Sequence, residues 1–518
     1  MSFMVGATRG GALAAVLGLS LGLLQIPASS AVPIVEATST FTPTLNPVGC
    51  ANTGDDDTPA PTTCFELTVP LDWRTPDDGR TVKIAVAVTP AKRNPGRQGL
   101  TWNPGGPGVS SMDNHLGFYD PLPPSIKGNF DWVSWDPRGV GRSGPDLTDC
   151  EWSVPTGLDQ PAATGPVDWE VFWQASVDFG DSASIVACFE ANPDAAPYLG
   201  TWQVVRDMEA LRVALGYDTW NFWGMSYGTR IGNTYARTFP DKLRALVLEG
   251  AMMANATNAR EGATLPGGLF LGQQVYASIA GRKQAHKIRK ILSFLDDSII
   301  QFDGTTWNRW DAFEALHSSL AYPTGGYGNA RTLVNRAYAA VRAYRAGATV
   351  STAWQSQPAG VTGDGKTGFL MSFVACADLH DRPTVAQVAA ISEQAKRTYG
   401  TAFGWRSIGD AAACLGLPSD YSPPSSNGDS TVHLSTPPLF LLTAGDTETP
   451  WMWGRSLANT YAGSRVVTWN STWHAPFFWT PSSCVKDAAE KYLLTLALPK
   501  ADKYCPYAPP ATKSNKEK

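Results

Sequence analysis

The sequence is short of the groups that hold metals. None of its eight cysteines stands in a Cys-x-x-Cys pair, and its six histidines are scattered along 518 residues. Zinc sites draw on closely spaced Cys and His ligands, so no metal is expected. Gly54-Asp55-Asp56-Asp57 is acidic enough to suggest calcium, but the glycine and glutamate of an EF-hand loop are missing, and the stretch reads as a solvated loop. Positive charge is not in surplus either: 41 Lys plus Arg stand against 46 Asp plus Glu, a net charge of −5. That balance lacks the basic footprint of a nucleic-acid partner. Beyond the N-terminus no apolar run is long enough to span a bilayer, and no internal repeat is present.

What the N-terminus does have is a secretory pattern. Arg9 is the only early charge, Gly11 to Leu24 is apolar, and Ala28-Ser29-Ser30-Ala31 offers small residues for cleavage. Residues 1–31 are therefore expected to be a signal peptide and 32–48 a flexible lead-in, with the mature chain exported. Eight cysteines fit that destination. Their order suggests four sequential pairs, Cys50 with Cys64, Cys150 with Cys188, Cys376 with Cys414 and Cys484 with Cys505, although eight cysteines allow many connectivities.

From Cys64 onward the chain alternates strand-like and helix-like stretches. Thr81 to Val88, Gly99 to Trp102, Asp131 to Trp135, Thr219 to Trp223 and Ala245 to Leu248 read as strands. Trp202 to Leu215 has the helical period, with Val205, Met208, Leu211 and Leu215 on one face. This alternation implies an α/β fold with a mainly parallel sheet flanked by helices. Residues 49–254 form the first part of that core. Over 255–428 strand signals fade and helical ones persist, clearest at Ala285 to Phe302 and Asn329 to Ala346, which reads as a helical lid inserted over the carboxyl edge of the sheet. The α/β rhythm resumes over 429–518, with strands at Pro438 to Thr443 and Ser464 to Trp469 and helices at Trp451 to Tyr461 and Cys484 to Leu496.

Gly224-Met225-Ser226-Tyr227-Gly228 stands between a strand and a helix in this scheme. A serine between two glycines on a sharp strand-to-helix turn is a nucleophile elbow, and its chemistry is acyl transfer through a serine ester. Gly18-Leu19-Ser20-Leu21-Gly22 matches the same pattern by composition, but it lies in the N-terminal apolar run and follows no strand. A serine hydroxyl needs a base within reach, and the base needs an orienting acid. The chain order for this elbow is Ser, acid, His. His474 follows the last expected strand, Ser464 to Trp469, and is the expected base; His433 is its competitor but precedes the penultimate strand. His286 and His317 fall on what read as solvated lid helix faces, His115 precedes the nucleophile, and His380 beside Asp378 reads as a core or lid residue. Asp446 follows the penultimate strand and is the expected acid, with Glu448 the alternative. The oxyanion needs N–H donors: the amide of Tyr227, and one from Asn103-Pro104-Gly105-Gly106-Pro107-Gly108, for which Gly106 is the choice and Gly105 the alternative. Gly139-Val140-Gly141-Arg142-Ser143-Gly144 formally matches a dinucleotide fingerprint, but Pro145 follows where a helix would have to open. It reads as a structural loop, shaped by a pairing of Asp136 with Arg138. No cofactor is expected.

Four segments together resemble the secreted tripeptidyl aminopeptidase-like serine peptidases of the α/β-hydrolase superfamily, relatives of proline iminopeptidase. They are Asn103 to Gly108, Asp136-Pro137-Arg138-Gly139, Gly224 to Thr229, and the stretch from Asp446 through His474 to Cys505. The chain departs from the usual pattern at Val109-Ser110-Ser111, at Glu249-Gly250 where Asp-Gly is usual, and at Ala475 where glycine is usual. The resemblance implies release of di- or tripeptides from the free N-terminus of a peptide, with lid carboxylates such as Glu314 or Asp378 to hold the ammonium. The same machinery would serve an esterase, amidase or lactonase acting on small acyl substrates. A non-catalytic binding protein on the same scaffold is the rival from another class.

Overall fold

The computed structural model describes residues 41–50, 62–151 and 181–507, apart from 296–297, 299, 303–304, 308, 323–326, 348–364, 424, 426–427 and 481. The expected signal peptide and most of the lead-in lie outside the described residues. Ten strands form one sheet: β1 (Thr44–Val48), β2 (Thr63–Pro70), β3 (Thr81–Thr89), β4 (Gly99–Asn103), β5 (Asp131–Trp135), β6 (Trp220–Met225), β7 (Leu243–Glu249), then β10 (Leu439–Thr443), β11 (Arg465–Trp469) and β12 (Lys503–Cys505), with the hairpin β8 (Ile300–Phe302) and β9 (Thr305–Trp307) apart from it. The spatial order is β1-β2-β3-β5-β4-β6-β7-β10-β11-β12. Pairing is antiparallel from β1 to β5 and parallel from β5 to β12.

The burial of each strand follows its place. β3, near the antiparallel edge, alternates exposed and buried residues through its first half. The central parallel strands β4, β5, β6 and β10 are buried at every position, which is why they read as apolar runs rather than alternations. Successive side chains point to opposite faces. Phe222, Leu246, Leu248 and Phe440 pack on one face with Ile231, Tyr235 and Leu457, while Trp223, Met225, Val247 and Leu441 pack on the other with Val485, Ala489 and Leu493.

The strand order reverses at β4, which lies between β5 and β6. In open α/β sheets the crevice beyond the carboxyl ends of the strands at such a reversal is where ligands bind. The loops leaving β4 and β6 at that point are the Asn103 to Gly108 loop and the Ser226 elbow. Helices α1 (Thr201–Ala214) and α2 (Gly228–Thr238) flank β6 in the chain. Arg138 and Asp207 pin α1 to the loop after β5: both are fully buried, and Arg138 Nε and Nη2 each meet a carboxylate oxygen at 2.7 Å. Removing either partner of such a pair costs about 3–5 kcal/mol. Asp136 does not pair with Arg138, contrary to the sequence reading. Its carboxylate instead accepts from Ser110 Oγ at 2.8 Å, from Met112 N–H at 3.0 Å and from Arg142 N–H at 3.1 Å, tying the loop after β5 to the one after β4.

Between β7 and β10 the described residues form seven helices: α3 (Asn258–Ala280), α4 (Arg282–Phe294), α5 (Arg309–Ala321), α6 (Gly328–Arg345), α7 (Gly365–Asp378), α8 (Val385–Tyr399) and α9 (Thr401–Ala412). They share a core in which Leu265, Leu269, Ile288, Leu316, Val334 and Val341 are buried. The helix expected over Ala285 to Phe302 ends at Phe294, and its last residues form the hairpin strand β8 instead. The intervening Asp296-Asp297 interrupts the apolar period that the reading carried through. Four disulfides join Cys50 to Cys64, Cys150 to Cys188, Cys376 to Cys414 and Cys484 to Cys505. Among the described residues no helix is long and apolar enough to cross a membrane.

Candidate active site

Sterics build the elbow. A side chain at Gly224 would bring its Cβ to 2.4 Å from the Gly228 carbonyl oxygen, and one at Gly228 would come to 2.6 Å from the Asn103 carbonyl oxygen. Only glycine fits either position. Between them Ser226 adopts φ of +51°, a left-handed conformation that is costly for a residue with a Cβ and that collects at functional sites. Its backbone is held on both sides: Ser226 N–H donates to Glu249 O at 2.9 Å, and Ser226 O accepts from Thr229 N–H at 2.9 Å and Thr229 Oγ1 at 2.6 Å. The side chain is left half-buried at the head of α2.

The loop after β4 comes up against this serine. Gly105 has φ of +103°, and a Cβ there would lie 2.7 Å from Ser226 Cβ. Gly105 N–H is spent on Asn103 Oδ1 at 3.0 Å. Among the described residues the amides of Gly106 and Tyr227 donate to no protein acceptor. Of the two glycines offered by the sequence, Gly106 is thus the one with an unspent donor. Unspent amides beside a strained serine are the raw material of an oxyanion site.

His474 and Asp446 meet. The imidazole Nδ1 lies 3.0 and 3.1 Å from the two Asp446 carboxylate oxygens. An Nδ1–H donated to the carboxylate leaves Nε2 as the basic nitrogen. Asp446 is itself fixed, accepting from Glu448 N–H at 2.9 Å, Thr449 N–H at 3.0 Å and Thr449 Oγ1 at 3.1 Å. Of the two acids offered by the sequence, Asp446 is the one that shares a hydrogen bond with the imidazole, and Glu448 N–H is one of the donors that fix it. The His474 loop is clamped by the helical insertion: His474 N–H donates to Ala321 O at 3.0 Å, and Thr472 N–H donates to Tyr327 Oη at 2.8 Å. Burial alone would lower the His474 pKa, but the Asp446 charge and hydrogen bond, helped by Glu448 and Glu249, outweigh it and hold the imidazole above its usual value.

The serine and the histidine converge through β7. Glu249 O holds the Ser226 amide, and a Cβ on the next residue, Gly250, would lie 3.0 Å from His474 Cε1. Among the described residues Ser226 Oγ has no hydrogen-bond partner. Hydrogen bonds of this kind are often open in a free enzyme and close when substrate arrives. Ala475, where the resembled family has glycine, takes φ of +56°, which is the conformation that makes glycine the usual residue there.

Other predicted residues fall elsewhere. Asp378 is buried and accepts from Thr201 N–H at 3.0 Å and Thr201 Oγ1 at 2.6 Å. It has no surface to offer an ammonium group. The Glu314 side chain lies outside the described residues. His317 is buried, not solvated, with Nε2 3.1 Å from Thr447 O; the helix face it occupies packs on the acid loop. His115 is buried between Thr89 Oγ1 and Ser134 Oγ, 2.7 Å from each. His286 and His433 are exposed, and His380 Nε2 lies 3.1 Å from Ala377 O. Pro145 opens no helix after the glycine-rich 139–144 loop. Among the described residues no group of three or more His, Cys, Asp and Glu could hold a metal ion. Sequence reasoning missed Tyr322, which is 51% exposed and stands edge-on to His474 at 6.1 Å, and it read Glu249 only as a departure from a pattern. A lone acid closing the apolar run of β7 was the signal for the second.

Residues 102–342 match the family described as alpha/beta hydrolase fold, and residues 401–505 match the family described as TAP-like protein. The chain is 35% identical over 195 residues to a protein named Serine protease Hip1 from Mycobacterium tuberculosis, covering 37% of this chain and 36% of that one. It is 30% identical over 203 residues to a Tripeptidyl aminopeptidase from Streptomyces lividans, covering 38% and 37%. It is also 30% identical over 231 residues to a Carboxylesterase B from Mycobacterium tuberculosis, covering 43% and 42%. The matched part is therefore well under half of each relative's length. With a mainly parallel sheet, a serine elbow at its reversal point and both family matches in register with them, the chain has the α/β-hydrolase fold and the site architecture of a serine hydrolase, and its residues 401–505 are similar to the TAP-like family.

Proposed function

We propose that this hydrolase is an exported aminopeptidase that releases di- or tripeptides from the free N-terminus of short peptides, with Ser226 as nucleophile, His474 as base and Asp446 as its orienting acid. The observation that carries the catalytic part is the strained Ser226, flanked by the unspent amides of Gly106 and Tyr227 and facing the His474–Asp446 pair across Gly250. Ser226 Oγ attacks the carbonyl carbon and its proton passes to His474 Nε2. The Asp446 carboxylate stabilises the resulting imidazolium, and the Gly106 and Tyr227 amides stabilise the oxyanion. His474 then protonates the leaving amine, and water repeats the sequence on the acyl-enzyme. No cofactor enters.

The peptidase part is supported by the relatives named as a serine protease and a tripeptidyl aminopeptidase. Export is supported by the secretory pattern of residues 1–31 and by the four disulfides, which persist in oxidising compartments. An ammonium site would call for a carboxylate near the serine with some solvent access. Glu448, with its side chain 26% exposed and its charge felt by both His474 and Tyr322, fits that need better than buried Asp378. The relative named as a carboxylesterase favours the second reading, hydrolysis of small acyl esters by the same residues. A peptide-library digest with free and N-acetylated ends separates them. Cleavage two or three residues from a free end, lost on acetylation, supports the aminopeptidase. Cleavage of acyl esters with no peptide turnover would leave the esterase.

A further inference from the structure

Glu249 is the one acid on β7, and it closes a strand that otherwise reads Leu-Arg-Ala-Leu-Val-Leu. It is completely buried. A carboxyl group in such a place is costly unless its oxygens are satisfied, and both are. Oε1 accepts the Phe477 N–H, across 228 residues of chain, and Oε2 accepts the Trp223 indole N–H at 2.8 Å. Phe477 lies in the short Pro476–Trp479 helix that begins two residues after His474. The main chain of the same residue holds the other reactive group, since Glu249 O accepts the Ser226 N–H at 2.9 Å. One residue therefore fixes the nucleophile through its backbone and the histidine loop through its side chain. A carboxylate gives each N–H its own acceptor oxygen, which an amide side chain with one oxygen and one donating nitrogen cannot do, and it brings a charge in addition.

We propose that Glu249 is a positioning residue for His474, its carboxylate clamping the segment that follows the imidazole and adding a second negative charge beneath the imidazolium. This rests on His474 being the base. The charged and titratable groups around the imidazole are Asp446 and Glu448 from the acid loop, Glu249 from β7, and Tyr322 from the end of the α5 segment. Glu249 in turn faces His474 and Asp446. Burial pushes its carboxyl up to about 7, against the Phe477 and Trp223 N–H groups and the imidazolium, which pull it down. It thus changes charge over the range in which the histidine works. An ionised Glu249 favours protonated His474, so removing that charge must lower the imidazole pKa and carry the acid limb of reactivity to lower pH.

The test is the rate of Ser226 labelling by a fluorophosphonate probe from about pH 5 to about pH 9, a readout of serine reactivity that needs no substrate. In Glu249→Gln the maximal rate should fall about tenfold to a hundredfold, the cost of a misplaced base, and the acid limb should move to lower pH. In Glu249→Asp, which keeps the charge, the limb should stay where the wild type has it. Thermal melts establish that each variant is folded. Should Glu249→Gln fail to fold, Trp223→Phe takes its place: losing the donor to Oε2 favours the neutral acid and should shift the limb in the same direction. A labelled wild type whose limb coincides with that of the charge-removing variant overturns the proposal. A wild type that does not label at all overturns the assignment of Ser226 and His474 instead.

Discussion

Two clusters adjoin the elbow, and each gathers two buried carboxyl groups around one base. In the first, Asp446 and Glu249 face His474. In the second, Arg230 on α2 donates to Glu261 on α3 at 2.7 Å and lies 4.0 Å from Asp378 on α7. Asp378 is linked through Thr201 Oγ1 to the hydroxyl of Tyr227, whose amide is the proposed oxyanion donor. The arrangements look alike on paper, but imidazole gives up its proton near neutral pH and guanidinium does not. The imidazole at the centre of the first cluster can therefore take up and release a proton during catalysis, whereas the guanidinium at the centre of the second can only hold its charge in place. The partners in that second cluster come from the elbow helix and two insertion helices, so its work is to lock the insertion to the elbow. Burial pushes Glu261 up to about 7 and Asp378 up to about 6, each pulled back by the Arg230 charge. The difference between the clusters lies in the chemistry of the central side chain, imidazole against guanidinium, rather than in the number of buried acids around it.

Substitutions can pull the two apart. The largest effect belongs to Ser226→Ala, which should cost roughly 10⁴–10⁶-fold in kcat with the melting temperature unchanged, measured as hydrolysis across a panel of acyl esters and peptides. Full activity in that variant would remove the serine mechanism. Asp446→Asn, which spoils the tautomer but keeps the shape, should lower kcat by about 10⁴ and leave urea unfolding close to wild type. Arg230→Met should show the opposite profile. It strands two buried carboxyl groups and should cost about 3–5 kcal/mol of stability in urea unfolding, while the acid limb of the residual activity stays put. A shifted limb would mean that the second cluster also tunes the chemistry.

The smallest effect is a pH dependence. The Glu261 carboxyl rises from its ordinary 4.5 to about 7 on folding, so the folded chain binds the proton more tightly than the unfolded chain. Its contribution to stability therefore declines as pH rises from about 4.5 to about 7 and is flat above that. Glu261→Gln should remove this part of the decline, read from urea midpoints across that window. Coincident slopes in variant and wild type would contradict the buried, proton-holding acid.

Much of the site was legible because local sterics wrote it. The two glycines around Ser226 are forced by backbone approaches of 2.4 and 2.6 Å, and a strand before and a helix after complete the turn. Asp446 and His474 were legible from chain order, since each follows a strand of the parallel half. The pairing of cysteines in sequence order held for all four disulfides. What could not be read depends on long-range packing. Glu249 acquires its role from Phe477, 228 residues away. Asp378 was a plausible ammonium ligand until its burial against Thr201 was visible, and His317 looked solvated on a helix whose face packs against Thr447. Short edge strands such as β12 carry too few residues for a period to register.

One serine made reactive by one histidine is the centre of the proposed chemistry. Mass-spectrometric mapping of the protein after exposure to a fluorophosphonate tests this most directly. A single adduct is expected on the peptide containing Ser226, abolished in His474→Ala. An unmodified chain, or an adduct on another residue that survives that substitution, would contradict it.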